Sequence, residues 1–241
     1  MSALLPVIEG AVPESEALWR LARVWGLTLG RGLGSLLREP SPDDLSRWAR
    51  EVLYILDVKV IHEGALPTEA PIWVANHLSW LDPLVLLSLR PAQVLAKAEV
   101  GDYPLIGSLA RRHGLRFVRR ESLASRSVAL RGLMSAMDVR ESLLLFPEGT
   151  TTRGSRLAPL YRGGICAAFR KGVPLLPVRL ASPDPWYPWV GDAALLPHLK
   201  TLAQVGSTRV FLRPGPVLNP GDFPDEGAWL DAIRHSLGDM N

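Results

Sequence analysis

Residues 71 to 83 read PIWVANHLSWLDP, and this stretch decides what kind of sheet the chain builds. Pro71 to Ala75 is a short, apolar, β-rich run that stops at the polar Asn76 and His77, the pattern of a fully buried strand. Ser79 or Asp82, with Pro83 behind it, then supplies a helix start, and apolar residues continue the helix to Leu89. A buried strand that gives way to a helix within a few residues is the repeating unit of an α/β sheet. It also leaves His77 at the carboxyl end of its strand, the rim along which such sheets hold ligands.

The same alternation runs outward from this unit. Strand-like runs recur at 56–61 (LDVKVI), 92–97, 115–119 (LRFVR), 142–146 (SLLLF), 174–180 (PLLPVRL) and 208–213. Helical stretches lie at 80–89, 104–113, 122–139, 162–171 and 226–237. The fold predicted is α/β, with a mostly parallel central sheet carrying helices on both faces. Upstream, REPSPDD (38–44) breaks the chain and opens a helix capped at Ser41 or Asp43. An N-terminal helical membrane-association segment (1–48) is thereby set apart from the main domain (49–241). Residues 182–191, SPDPWYPWVG, read as a surface loop or a lid.

Hydrophobic residues make up 47% of the 241 and charged residues 21%, with a positive mean hydropathy, so a surplus of apolar surface needs a location. The net charge is +3, and its arginines gather at RRHGLRFVRR (111–120) and in the first forty residues. That placement suits anionic surfaces or phosphorylated substrates. The absence of zinc-ligand spacing, an RNP-type aromatic motif and a lysine-rich tail argues against a nucleic-acid partner. The lone Cys166, in GGICAAF, allows no internal disulfide and reads as a small buried helix residue.

Residues 18–38 are apolar but interrupted by Arg20, Arg23, Arg31 and Arg38, and fall short of the roughly 20 uninterrupted apolar residues a span requires. On a helical wheel the arginines fall on one side, and Leu18, Leu21, Trp25, Leu29 and Leu36 on the other. Two readings stand: a helix lying in a membrane interface with arginines toward lipid phosphates, or a helix packed on the protein's own core. Gly26, Gly30, Gly32 and Gly34 weaken an isolated helix by about 1 kcal/mol each, so it needs one surface or the other. No small-residue cleavage site follows a clean apolar core, so a signal peptide is not expected. The expected location is the cytoplasmic face of the cell membrane, peripheral or monotopic.

Three stretches carry chemistry. In the first, a turn that brings Asp82 onto His77 would let the carboxylate accept a hydrogen bond from one imidazole nitrogen and fix the tautomer. The other nitrogen would then be left to accept a proton from a substrate hydroxyl. The competing reading is a helix cap at Asp82 beside a satisfied rim histidine. In the second, LLLFPEGTTTRGS (143–155), a buried strand delivers Glu148 and Gly149 to the same rim, with Thr150 and Arg153 following. Backbone amides, threonine hydroxyls and Arg153 there can cradle an oxyanion or phosphate, although the spacing is not that of a P-loop. The third, GLRFVRRES (114–122), ends a strand in Arg119 and Arg120. Alternation sends these to opposite faces, and Arg119 is the candidate anion binder. Lys97, at another strand end, serves either an ion pair or a substrate. His62, His113, His198 and His235 form no H-x-x-H or H-x-x-x-H pair, so no metal site is expected.

Taken in order, these stretches resemble the phospholipid/glycerol acyltransferase superfamily. N-H-x-x-x-x-D is present as Asn76, His77 and Asp82, an aromatic-aliphatic-arginine motif as Phe117, Val118 and Arg119, and F-P-E-G-T as Phe146 to Thr150. A proline-bearing apolar segment matches VPLLPVRL (173–180), and the resemblance covers roughly residues 50 to 215. It implies acyl transfer from acyl-CoA or acyl carrier protein to a lysolipid hydroxyl at a membrane surface, with neither metal nor cofactor. His77 would be the base and Asp82 its orienter, while Asn76, Lys97, Arg119, Glu148, Gly149, Thr150 and Arg153 would serve substrate binding. The acceptor implied is 1-acylglycerol-3-phosphate, giving phosphatidic acid. One departure keeps others open: phosphatidate-forming members continue F-P-E-G-T with Arg-Ser, whereas Thr151 and Thr152 stand here before Arg153. A lyso-ornithine lipid acceptor, or a non-catalytic peripheral lipid-binding protein, remains the alternative.

Overall fold

The apolar strand runs assemble into one seven-stranded sheet in a computed structural model. The structure describes residues 11–97, 116–118, 132, 134, 135, 137 and 142–238, apart from 38, 40, 68, 69 and 192. The strands are β1 (Val58–His62), β2 (Ile72–Ala75), β3 (Gln93–Lys97), β4 (Arg116–Val118), β5 (Leu143–Leu145), β6 (Leu175–Ala181) and β7 (Thr208–Pro214). Each falls on a run expected from the sequence. Their order across the sheet is β1-β7-β6-β2-β5-β3-β4. Every neighbouring pair is parallel except β6 with β7, so the β1–β7 edge runs against the other strands.

Period-two alternation sorts the strand residues between two cores. Trp73, Ala75, Leu144, Leu176, Val178 and Leu180 face one buried cluster, and Ile72, Val74, Leu143, Leu145 and Leu175 the other. The first face is covered by α1 (Glu14–Leu37), α2 (Pro42–Ile55), α3 (Asp82–Leu89) and α5 (Leu195–Gln204). The second is covered by α4 (Arg162–Arg170) and α6 (Glu226–Gly238), where the rings of Phe169 and Phe223 stand 5.8 and 5.3 Å from the fully buried Trp229. Two-sided burial explains why β2 is apolar at all of its positions rather than at alternate ones.

The helix at 104–113 lies outside the described residues, as does nearly all of that at 122–139. Helix α5 was not expected. Pro197 reads as a breaker, and no side-chain cap marks its start at Ala194, but a proline in the first turn removes no intrahelical bond. The start of α2 is resolved in favour of Ser41: its hydroxyl accepts from Asp43 N at 3.3 Å while Asp44 accepts from Ser41 N at 2.8 Å, a capping box.

Helix α1 corrects the helical-wheel reading. Ala17 and Val24 are buried, and Leu21 and Leu27 pack beside them in the core shared with the sheet. Arg20 lies on this inward side, donating to Val205 O at 2.8 Å at the end of α5, and Arg31 pairs with Glu51 of α2. These two arginines therefore serve the protein rather than lipid phosphates, because a buried carbonyl at Val205 and the Glu51 carboxylate are supplied by other segments. The outward side exposes Leu18, Trp19, Trp25, Leu29, Leu33 and Leu37. The division expected between residues 48 and 49 falls inside α2, and Ala17, Val24 and Ala49 belong to the same cluster as Trp73. Among the described residues no helix is long and apolar enough to cross a membrane.

Helix α5 is fastened to the loop after β2 through His198, whose Nδ1 accepts from Trp80 Nε1 at 2.8 Å while its Nε2 lies 2.9 Å from Trp186 O. Only the neutral ring protonated at Nε2 satisfies both contacts. Burial lowers its pKa, against the opposing pull of Trp186 O. A histidine with a lowered folded-state pKa contributes stability above the unfolded value and loses it as pH falls. We expect thermal stability to decline as pH drops below about 6.5. His198→Gln, which keeps one acceptor and one donor but no titrating group, should flatten that decline when melting temperatures are compared across pH.

Candidate functional site

The site grows from the end of β2. Asn76 continues the pairing of β2 with β6 by its side chain, donating Nδ2 to Leu180 O at 2.9 Å and accepting Leu180 N on Oδ1 at 2.7 Å. It is buried, and both ends of its amide are engaged, so it clamps two strand ends rather than facing a substrate. His77 follows, and its main chain is held from both sides. Its N–H donates to Glu148 Oε1 at 2.7 Å, and its carbonyl accepts from Thr152 N at 2.8 Å and Thr152 Oγ1 at 3.4 Å.

Asp82 is the first residue of α3, but it does not cap that helix. Its fully buried carboxylate turns back over the preceding loop. Oδ2 accepts from Leu78 N at 2.5 Å, Ser79 N at 2.8 Å and His77 Nδ1 at 2.8 Å. The five-residue spacing that no regular helix would bring together is thus closed by a turn wrapped around one oxygen. With the carboxylate on Nδ1, that nitrogen carries the imidazole proton, and Nε2 keeps its lone pair. The His77 side chain is 13% exposed and lies against Phe146, with ring centroids 4.4 Å apart. An imidazole oriented in this way can act as a general base toward a hydroxyl brought to Nε2.

The carboxylate's second oxygen has a partner that sequence reasoning missed. Tyr187 donates its hydroxyl to Asp82 Oδ1 at 2.5 Å and is fully buried. Burial, then the Asp82 charge, holds its pKa well above the usual phenol range, so it remains a donor. No spacing could have signalled a contact across more than a hundred residues. The segment 182–191, expected as a surface loop or lid, is instead anchored. Trp189 N donates to Leu78 O at 2.8 Å, Trp186 Nε1 to Thr208 Oγ1 at 3.1 Å, and Asp184 is buried against Arg209.

Glu148 was expected to shape a head-group site as an acceptor, yet both of its oxygens are taken by backbone donors, His77 N at 2.7 Å and Ala158 N at 2.8 Å. Burial raises its pKa against the pull of those two donors. It ties the FPEGT turn to the His77 loop. Gly149 sits at φ +65°, where a Cβ would lie 2.4 Å from the Tyr161 ring, and Gly154, at φ +77°, would meet Leu78 at 2.8 Å. Leu78 of the His77 loop is therefore pressed onto Gly154, and Tyr161 onto Gly149, at positions where only glycine fits. Thr150 and Arg153 are exposed on this turn. Thr152, also missed, is the residue that bonds His77 O. The backbone places Lys97 at the end of β3, in register with Val118. Its side chain, like Arg119, lies outside what the structure describes. Among the described residues no three His, Cys, Asp or Glu side chains gather as a metal site.

Comparison with known proteins shows which family the chain resembles. The Acyltransferase family model matches residues 57–181, which hold both His77 and Asp82 and the FPEGT turn. A lyso-ornithine lipid O-acyltransferase of Pseudomonas aeruginosa is 37% identical over 214 residues, covering 81% of this chain and 83% of its own length. A lyso-ornithine lipid O-acyltransferase of Rhizobium meliloti is 30% identical over 183 residues, covering 68% of this chain and 62% of its own. Among solved structures, the 1-acyl-sn-glycerophosphate (LPA) acyltransferase PlsC of Thermotoga maritima superposes with a TM-score of 0.67 at 20% identity. That match covers 90% of this chain and 94% of that one, and it bears on the fold alone.

The fastening role of Glu148 can be measured. Glu148→Gln sets an amide NH2 against one of the two backbone N–H groups, and a buried donor left unpaired costs about 1–3 kcal/mol. Urea unfolding should show a loss of that size, whereas a residue facing solvent would show none.

Proposed function

The chain belongs to the acyltransferase family, and we propose that it moves a fatty acyl group from a thioester donor to the free hydroxyl of a lysolipid. The observation that carries this reading is the contact of His77 Nδ1 with the buried Asp82, which leaves Nε2 as the proton acceptor at the rim. Nε2 takes the proton of the acceptor hydroxyl as its oxygen attacks the thioester carbonyl carbon. The tetrahedral oxyanion collapses, the C–S bond breaks, and the departing sulfur takes the proton back from the imidazolium. Asp82 stabilises that imidazolium and holds its orientation. The enzyme supplies no nucleophile, so no acyl-enzyme forms. Acyl-CoA and acyl carrier protein both meet the chemical requirement for the donor.

For the acceptor we favour a lyso-ornithine lipid over 1-acylglycerol-3-phosphate. Thr151 stands where the phosphatidate-forming pattern carries arginine, and a neutral hydroxyl offers a phosphate neither the charge nor the bidentate fork of a guanidinium. An ornithine head presents a carboxylate together with an amine and needs less positive charge from the protein. The relatives named above act on lyso-ornithine lipid by name. Arg153, exposed two residues on, favours the phosphate-bearing acceptor as the second reading.

The exposed apolar row on α1 supports attachment to the cytoplasmic surface of a membrane, where an insoluble acceptor is met. Its tryptophans suit the boundary between headgroups and acyl chains.

His77→Ala should lower acyl transfer by about a thousandfold, within the range a general base contributes, while liposome binding is unchanged. Full activity in that variant would overturn the assignment of His77 as the base. Offering lyso-ornithine lipid and 1-acylglycerol-3-phosphate to one preparation, and following which is acylated, decides the acceptor. Leu29→Glu combined with Leu33→Glu should reduce sedimentation with anionic liposomes and spare transfer to a detergent-dispersed acceptor.

A further inference from the structure

Asp82 has no solvent exposure, and three of its four hydrogen bonds converge on Oδ2. Oδ1 would be stranded in the core but for the Tyr187 hydroxyl at 2.5 Å. Tyr187 comes from the segment between β6 and β7, beyond the residues matched by the family model. Its backbone is fixed independently of Asp82. Tyr187 N donates to Asp184 O at 3.0 Å, and the flanking Trp186 and Trp189 are bonded to Thr208 and to the loop carrying His77. The hydroxyl is thus delivered to Oδ1 by a braced segment.

The geometry points to Tyr187 as a positioning residue of the His77–Asp82 pair, one that keeps Asp82 ionised and its Oδ2 turned to His77 Nδ1; this rests on the acyl-transfer reading above. An anion in the core needs each oxygen satisfied. Donors on Oδ2 alone fix one oxygen but leave the other as a point where a proton can settle. A protonated Asp82 lacks the charge that stabilises the imidazolium formed in the reaction, and such a change is costly in His–Asp pairs. The Tyr187 bond also draws charge away from Oδ2, so its loss makes the imidazolium more favourable. Both effects move the low-pH loss of activity to higher pH. Glu148 is a further charged group acting on His77 and Asp82, and it is left intact below.

The test is Tyr187→Phe in the full chain, which keeps the buried ring and removes the hydroxyl. We expect kcat to fall by about tenfold, the acceptor KM to stay within about twofold, and the acid limb of kcat/KM to move to higher pH. Trp186→Phe, which loses the bond to Thr208 Oγ1 in the same segment, should lower the melting temperature without moving the acid limb. Wild-type kcat and an unmoved acid limb in Tyr187→Phe would reduce Tyr187 to packing and overturn the assignment. Where Tyr187→Phe does not fold, a ring-fluorinated tyrosine at position 187 keeps the shape and strengthens the donor. It should move the acid limb to lower pH, and an unmoved limb would overturn the assignment equally. The ring-proton titration of His77, followed by NMR, should move upward in Tyr187→Phe with no acceptor present. A protein that acylates no lysolipid therefore refutes the functional reading, while this titration still decides the role of Tyr187.

Discussion

A carboxylate stripped of water is the constraint around which this site is built. Moving an ion of that size into the core costs several kcal/mol unless hydrogen bonds replace its hydration, and Asp82 receives four, from Leu78 N, Ser79 N, His77 Nδ1 and Tyr187. The loop from His77 to Leu81 takes its shape from this demand, since two of its amides must reach back to one oxygen. The imidazole is then oriented as one more donor to the same anion. Catalytic geometry and loop conformation are consequences of a single desolvated charge.

Around that centre, most polar residues of the recognisable motifs are occupied with backbone. Asn76 joins β2 to β6, Glu148 joins the FPEGT turn to His77 and Ala158, and Thr152 holds the His77 carbonyl. These bonds fix the main chain of His77 from several directions, so its imidazole moves only by rotation of its own side chain. A side chain held in this way has little entropy left to lose when a partner binds it. The resulting division of labour leaves Thr150 and Arg153 exposed on the turn and Thr151 partly exposed.

The sheet was legible in the sequence because its strands are short apolar runs, and runs such as PIWVA and LLLF admit few other conformations once turn residues bound them. The pair His77 and Asp82 was legible for the same reason, since the strand end and the helix start locate both. What stayed hidden depends on partners far along the chain. Asn76 and Glu148 look identical whether they hold a ligand or a neighbouring strand, because both tasks need the same donors and acceptors. Tyr187 meets Asp82 only through the return of the chain after β6. The amphipathic character of α1 was readable, but its orientation was not, because Val205 O and Glu51, which draw Arg20 and Arg31 inward, are contributed by other helices.

The close approach of Gly149 to Tyr161 and of Gly154 to Leu78 has a consequence for anyone rebuilding this protein. The HLSWLD and FPEGT segments are mortised together where Leu78 fills the space a Cβ on Gly154 would need, and Tyr161 does the same over Gly149 within the second segment's own continuation. Grafting one of them from a relative with a different acceptor preference carries half a joint into a socket cut for another. Loop exchange is therefore best done in matched pairs, with Leu78 and Tyr161 travelling with the glycines they cover. A signature that reads as a roster of reacting groups is, in part, a record of carpentry.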